Sequence, residues 1–448
     1  MISKYIEKIK KNPPLLLFLA YFLIILAGSI ILMLPISSIN GKFTPFTDAF
    51  FTSASAFCVT GLVQFTTATY WTLFGKVVIL ILIQAGGLGV MTLAGLLALV
   101  TNQRISLNDR QIIKEETNSQ YIGGIVKHIK WILKSTFIIE GAGAIILAFI
   151  FSKDYGILRG IWYGIFHSIS AYCNAGFDIL GEVSLSKYGG NIIFVLSISS
   201  LIVLAGLGFR VYKDVLEHKE FKKFSLHTKI VLKVTIILIL VGAISTLLLE
   251  WNNPQTLGGE NIFTKILQAL MQSVTTRTAG FYTINQEYLT NRTAFLSIIL
   301  MFIGGSPAGT AGGLKTTTFA TLLGFVEAEI KNKDDIVIMN KRLPKTIAKR
   351  AVSITVAFLV WVFVASFLLL ISEEGAEPLN VFFEVVSAIA TVGLTRGLSP
   401  LLTTFGKYII SITMIFGKAG PLSIIYAFGN RNMKKHNFKE AEESIIIG

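Results

Sequence analysis

Four short glycine turns recur along the chain, and their backbone groups are suited to binding a cation. Successive turn glycines are about 104 to 115 residues apart. Glycine adopts backbone conformations that other residues avoid, so the carbonyl groups just before it can turn to one side. A ring of such oxygens replaces part of the hydration shell of a bare cation, and potassium suits such a ring. The residues concerned are Val59, Thr60 and Gly61; Asn174, Ala175 and Gly176; Thr278, Ala279 and Gly280; and Thr391, Val392 and Gly393.

Each turn follows an apolar stretch of about 12 to 15 residues, which is too short to cross a membrane and suits a re-entrant helix. These stretches are 45–57, 158–172, 262–275 and 378–390. A helix that ends at the turn directs the partial negative charge of its C-terminus toward the site, which favours cations over anions. A single glycine turn is usually a plain helix connection. Four in register predict a shared cation pore, because irregular backbone at membrane depth must be buried or line water.

Composition places these turns in a membrane protein. Of the 448 residues, 53% are hydrophobic and 15% are charged, and the mean hydropathy is +0.67, whereas soluble proteins are about 25% charged. A spanning helix needs about 20 apolar residues. Eight segments reach that length: 15–34, 72–100, 129–151, 190–209, 230–249, 293–325, 351–371 and 401–428.

The order of span, re-entrant helix, turn and span is repeated four times. Six residues before the turn glycine stands Ser55, Ser170 or Ser387 in three copies and Val274 in the third. We therefore predict an all-α integral membrane fold with four span, pore helix, filter and span repeats around a pseudo-fourfold central pore. The predicted divisions are 1–103 for repeat 1, 104–223 for repeat 2, 224–340 for repeat 3, 341–430 for repeat 4 and 431–448 for a cytosolic C-terminal tail.

The second span of the third repeat has five glycines and a proline between residues 304 and 315, too many for a continuous helix. We predict a broken helix whose loop crosses the conduction path as a gate. The small residues 86–89 and 206–208 of the other repeats indicate close helix packing. Lys418 in the final span predicts an electrostatic barrier below the filter, or a lysine bonded to carbonyls of the loop. The predicted gate residues are Gly304, Gly305, Ser306, Gly309, Thr310, Gly312, Gly313, Lys315 and Lys418.

Four other charged residues stand out within or beside the apolar segments. Glu140 lies near the centre of the third span, where an ionisable side chain either has a function or packs beside a hydrogen-bonding neighbour. Arg277 comes just before the third turn glycine, and we expect its side chain to point away behind the turn, because a positive charge in the filter would repel the ion. Arg396 and Lys407 are expected to be solvated.

The net charge of +14 is concentrated in the connections between repeats, which predicts that these connections and both termini are cytosolic. The mixed charges of residues 327–350 suit amphipathic helices. A nucleic-acid partner is not expected. Two separated cysteines and five histidines without ligand spacing favour neither a disulfide framework nor a zinc site. The chain has no phosphate-binding loop or dinucleotide motif, and no cluster of acid, base or metal-binding residues, so an enzyme is not predicted.

Three stretches carry a specific resemblance: the turn that ends with Gly176 and Phe177, the Thr-Arg-Thr-Ala-Gly-Phe run that ends at Phe281, and residues 311–316. With the fourfold pattern, they resemble the Trk/Ktr/HKT superfamily of potassium transporters, most of all a bacterial Ktr membrane subunit. The resemblance implies potassium uptake across the bacterial plasma membrane. It makes the four turn glycines the selectivity-filter glycines and residues 304–315 the gating loop. Plant relatives that prefer sodium have serine at the position of Gly61, and relatives commonly have arginine at that of Lys418.

The resemblance also implies a homodimer, surrounded by membrane lipid, on a cytosolic ring of separate nucleotide-binding regulatory subunits. The apolar residues 445–447 are a candidate docking segment for that ring. No cofactor is expected in this chain. Potassium is the expected transported ion and sodium a candidate coupling or activating ion, and symport and channel-like movement both stay open. The alternative is a secondary transporter with alternating access for another solute, since discontinuous helices are typical of those proteins too.

Overall fold

The computed structural model describes residues 13–89, 125–181 and 184–420, and this part of the chain is mostly helical. The predicted C-terminal tail and residues 90–124 lie outside it. The helices fall into four units of similar order. They are α1 (Pro13–Met33), α2 (Phe46–Cys58) and α3 (Leu73–Leu88); α4 (Ile125–Tyr155), α5 (Ile157–Tyr172), α6 (Ile192–Leu207) and α7 (Phe209–His218); α8 (Leu226–Glu250), α9 (Ile262–Thr275), α10 (Asn291–Phe302) and α11 (Thr316–Ile330); α12 (Lys345–Ser372), α13 (Pro378–Ile389) and α14 (Thr404–Ala419).

The long first helix of each unit is apolar enough to cross a membrane. Among the described residues, four helices pass that test singly, within α1, α4, α8 and α12, and a fifth span results if the bent pair α6 and α7 is counted as one. Large apolar side chains on these helices face outward, as on α12, where Val356, Val360, Phe363 and Phe367 are exposed. Such an outer surface suits lipid.

The last span helix of each unit begins with the same local signal. Its N-cap residue, Thr72, Asn191, Thr290 or Thr403, accepts a hydrogen bond through its side chain from a backbone N–H of the first turn. Such caps satisfy N–H groups that have no partner within the helix. The predicted re-entrant stretches are short helices, α2, α5, α9 and α13, and each ends directly before a glycine turn.

The short helices join the units into a closed cycle. Each packs against its own unit's first helix and also against the last span helix of the unit before it: α5 against α3, α9 against α6, α13 against α10, and α2 against α14. Unit 1 therefore contacts unit 4, and the core is shared between units. Phe57 of unit 1, Phe166 of unit 2 and Phe383 of unit 4 belong to one buried apolar cluster.

The spans predicted at 72–100, 190–209 and 401–428 are not helical throughout, because a helix ends at a glycine inside each of them. Helix α3 ends at Leu88 and α14 at Ala419, each before a glycine with positive φ, Gly89 at 84° and Gly420 at 81°. In unit 2, Gly208 has φ 87°, and α7 continues at 92° to α6. The small residues 206–208 therefore mark a break rather than a packing notch. A positive φ stops a helix because its backbone no longer offers the repeating hydrogen-bond geometry.

Residues 327–350, whose mixed charges suit an amphipathic helix, contain a β-hairpin. Strands β1 (Ile336–Ile338) and β2 (Lys341–Leu343) pair antiparallel. Met339 and Asn340 between them have φ 49° and 61°, the two positive values that a tight two-residue hairpin turn requires. The hairpin packs on the end of α11 through Ile336 and Ala328.

Candidate functional site

The four glycine turns share one backbone conformation. In each, the residue two before the glycine has a left-handed φ: Val59 57°, Asn174 59°, Thr278 67° and Thr391 51°. The glycine itself also has positive φ: Gly61 96°, Gly176 69°, Gly280 79° and Gly393 90°. The left-handed conformation is costly for non-glycine residues, above all for β-branched ones such as Val59. Strain at the same place in four units indicates a site that the surrounding structure holds in this form.

The turns meet one another in a ring. A methyl group added at Gly61 would lie 2.5 Å from the Ala175 carbonyl oxygen of the next turn. One added at Gly176 would lie 2.8 Å from Ala279 O, and one at Gly280 2.7 Å from Val392 O. The ring closes because the same group at Gly393 would meet the carbonyl oxygen of Thr60. All twelve predicted filter residues are therefore brought together, and all but Gly176 are fully buried.

Serine side chains hold three of the turns from behind. The Ser55 hydroxyl accepts a hydrogen bond from Gly61 N–H at 3.0 Å, and Ser387 accepts from Gly393 N–H at 3.1 Å. In unit 2, the Ser170 hydroxyl donates to Phe177 O at 2.9 Å. The third turn has Val274 at this position, whose side chain offers no such bond. The spacing of six residues noted in the sequence therefore reflects a hydrogen bond across the turn.

A second set of polar contacts, which sequence reasoning missed, ties the short helices to the segments after the turns. In unit 2, His167 Nε2 lies 2.9 Å from Asp178 Oδ1. In unit 3, the amides of Gln272 and Gln286 exchange two hydrogen bonds, of 2.8 and 2.9 Å. The sequence signal for these contacts was a polar residue within each short apolar helix, because a buried polar side chain needs a hydrogen-bond partner.

In unit 4, the carboxylate of Glu384 fills the same role. It accepts hydrogen bonds from the hydroxyls of Thr395, at 2.7 Å, and Ser399. Gln64 of unit 1 donates to Ser399 O at 2.7 Å, so this contact also joins two units. The segments that follow the turns are thus held in place in three of the four units by buried polar side chains.

The break in unit 3 is confirmed, and we call residues 303–315 the broken segment. Two backbone hydrogen bonds join its two ends: Leu314 N–H donates to Phe302 O at 3.1 Å, and Thr316 N–H donates to Gly305 O at 3.0 Å. The hydroxyls of Ser306 and Thr316 are 2.9 Å apart. Lys315 donates to Ala311 O at 2.6 Å. Helices α10 and α11 are therefore joined by an ordered loop.

The broken segment also contacts two other units. Ser306 N–H donates to Gly206 O at 2.9 Å, and Phe209 N–H donates to Ala308 O at 3.1 Å, so the segment lies in the bend between α6 and α7. On its other side, a methyl group at Gly312 would lie 2.7 Å from Ala390 O, directly before the fourth turn, and would also meet the Thr391 side chain. The segment thus crosses from unit 2 to unit 4 beside the ring of turns.

The other singled-out charges have definite places. Lys418, at the end of α14, lies within electrostatic range of Lys315, Cys58 and Cys173, which places it near the broken segment and the first two turns. Glu140 is buried and accepts hydrogen bonds from Gln84 Nε2 at 3.2 and 3.3 Å. Gln84 is thus a hydrogen-bonding neighbour of the kind expected for a role in helix packing.

Three further expectations are settled by geometry. Arg277 is buried and points away from its turn, since its Nη2 donates to Gly304 O at 3.2 Å. Lys407 is not solvated as predicted but forms a largely buried ion pair of 2.6 Å with Asp48, because α14 packs against α2. Arg396 is half-buried and donates to Leu289 O at 3.2 Å.

The helical membrane fold and the closed ring of glycine turns define the class of membrane transport proteins. A family model described as "TrkH: Cation transport protein" matches residues 17–438, so the chain belongs to the TrkH family of cation transport proteins and is a transporter, not an enzyme. The chain is 38% identical over 440 residues to the Ktr system potassium uptake protein B of Bacillus subtilis (strain 168), which covers 98% of each chain.

Two other proteins extend the comparison. The chain is 37% identical over 454 residues to the potassium/sodium uptake protein NtpJ of Enterococcus hirae, which covers 100% of both chains. The crystal structure of the potassium transporter TrkH from Vibrio parahaemolyticus superposes with a TM-score of 0.72 over 92% of this chain and 84% of that one. At 20% sequence identity, the superposition shows a shared fold.

Proposed function

We propose that this chain takes up potassium across the cell membrane through a selectivity filter made by the four glycine turns. The observation that carries the proposal is the closed ring, in which a carbonyl oxygen of each turn lies against the glycine of its neighbour. Backbone carbonyls in such a ring replace a cation's water shell. The names of the two relatives above support potassium, and that of NtpJ adds sodium as a second candidate ion. On this proposal, the predicted repeats surround a pseudo-fourfold central pore.

The broken segment acts as the gate in this proposal. It crosses from the α6 bend to the fourth turn, so cations that leave the ring meet it. Lys315 and Lys418 lie within electrostatic range of each other there. Their two positive charges repel a cation that would rest beside the turns. Displacing the segment opens the path. The four predicted divisions of the chain serve this design by supplying one turn each.

The proposed assembly is a homodimer in the bacterial plasma membrane, with both termini in the cytosol. The positive charges in the connections between units support this orientation. A separate cytosolic regulatory subunit that binds nucleotide is the proposed partner, in keeping with the Ktr system to which one relative belongs. The β-hairpin of Ile336–Leu343 connects α11 of unit 3 to α12 of unit 4, and in the proposed orientation this connection is cytosolic. It carries exposed Val337 and Met339.

The test is uptake of tracer rubidium into proteoliposomes that contain the purified chain, with potassium, sodium and lithium as competitors. Competition by potassium alone supports a potassium filter, and competition by potassium and sodium together supports a shared one. Equal competition by all three contradicts the filter. Saturable inhibition by an organic solute, with cations inert, would favour the alternating-access alternative. Liposomes without protein and the variant Gly141→Ala are the controls, since a methyl group at Gly141 meets nothing within 4 Å.

A further inference from the structure

The third turn differs from the others in what holds it from behind. Serine hydroxyls bond across the turns of units 1, 2 and 4, but Val274 stands at that position in unit 3. The two hydroxyls that follow it do not replace the serine: Thr275 Oγ1 has no hydrogen-bond partner within the described residues, and the Thr276 hydroxyl donates to Ser273 O of its own helix at 2.7 Å. The third turn keeps a backbone hydrogen bond from Ala279 N–H to Thr275 O, at 3.0 Å, but lacks the serine contact that the other three turns have.

Arg277 makes a different contact. It lies three residues before Gly280 and is only 7% exposed. Its Nη2 donates to the carbonyl oxygen of Gly304, near the start of the broken segment, at 3.2 Å. A buried guanidinium that loses its acceptor is left with the full cost of desolvation. The arginine and the position of the broken segment therefore depend on each other.

A small cavity lies beside the guanidinium. Its volume is about 10 Å³, about that of one water molecule. Arg277 Nη1 and the Thr235 hydroxyl both have no hydrogen-bond partner within the described part of the chain. The Gly304 carbonyl is thus the protein acceptor on which this cation relies. The cavity is lined by Ile202, Val203, Gly206, Thr235, Arg277 and Gly305.

We propose that Arg277 is a positioning residue that couples the third turn to the broken segment, and this rests on the proposed function of both. While the segment lies across the path, Gly304 O satisfies the guanidinium and the turn is held. When the segment moves, Arg277 loses that acceptor and the third turn loses its brace. Ion selection at the third turn and opening of the gate are therefore linked through one side chain.

The test reads the position of the segment directly. A cysteine is placed at its tip by Ala308→Cys, where the side chain is partly exposed, and its rate of modification by a small maleimide is measured in purified protein. The native Cys58 and Cys173 are buried, so the parent chain sets a low background. Adding Arg277→Gln removes the charge-assisted bond and should raise the rate about tenfold. Arg277→Lys keeps a cationic donor and should give an intermediate rate.

Arg396→Gln is the matched control. Arg396 lies three residues after a turn glycine, whereas Arg277 lies three before one, and it too donates to a backbone carbonyl. That carbonyl, of Leu289, belongs to the stretch before α10 and not to the broken segment. Its variant should label at the parent rate. An unchanged rate in Arg277→Gln overturns the proposal. Equal acceleration in both variants with a lowered unfolding temperature also overturns it, because that result reports general loosening.

Failure of this link is distinguishable from failure of the filter, because labelling requires no transport. Faster labelling in Arg277→Gln with unaltered rubidium uptake retains the link and removes the gate from the proposed function. Unaltered labelling with normal potassium competition in the parent retains the filter and removes the link.

Discussion

The carbonyl ring makes a sharp prediction at Gly61. In the variant Gly61→Ala, the new methyl group would lie 2.5 Å from Ala175 O, whereas Cβ atoms keep at least 3.0 Å from such atoms. The Ala175 carbonyl must therefore move by about 0.5 Å. A displaced oxygen no longer fits the ion that the ring was shaped for. We expect discrimination of potassium against sodium to fall about tenfold, which corresponds to about 1.4 kcal/mol.

The assay is tracer rubidium uptake into proteoliposomes, with the ratio of half-inhibiting sodium to potassium concentrations as the readout. Gly375→Ala is the control, since Gly375 has φ 80° but no atom within 4 Å of the added methyl group. Both variants carry the backbone strain of about 1–2 kcal/mol that a left-handed alanine brings, but only Gly61→Ala disturbs the ring. An unchanged ratio in a folded Gly61→Ala protein would refute the assignment of Gly61 to the ion path.

Three further predictions follow from other contacts. Deletion of residues 306–312 should raise rubidium flux, because it removes the obstruction; lower or equal flux in folded protein counts against the gate. Asp48→Asn removes the negative charge that lies 2.6 Å from Lys407 Nζ and should lower the free energy of unfolding by about 3 kcal/mol, seen as a lower unfolding temperature, with selectivity retained. Ser387→Ala removes the hydrogen bond from Gly393 N–H, worth about 1 kcal/mol, and should weaken the selection of potassium over sodium in the same uptake assay. Ser353→Ala, on the exposed side of α12, is the control. Equal loss of selectivity in both variants would contradict the role of Ser387 in holding the fourth turn.

Local patterns determined much of this fold before any tertiary contact was considered. The apolar lengths predicted the four short helices to within a few residues, and the density of glycine between 304 and 315 predicted the break between α10 and α11. Such features depend on neighbours in the chain, through helix propensity and the freedom of glycine. The helix ends at Gly89, Gly208 and Gly420 were not predicted, since a glycine in an apolar helix is equally compatible with close helix packing.

Only the tertiary structure decided which groups the buried charged side chains bind. Nothing in the sequence around Lys407 points to Asp48, which lies far along the chain, and only the packing of α14 on α2 brings them together. Likewise, the sequence identifies Arg277 as a charge before a turn glycine, but only the fold brings Gly304 O within its reach. Local chemistry thus predicted that four glycine turns exist. Whether their carbonyls meet in a ring depends on the cycle of helix contacts, which forms between residues distant in sequence.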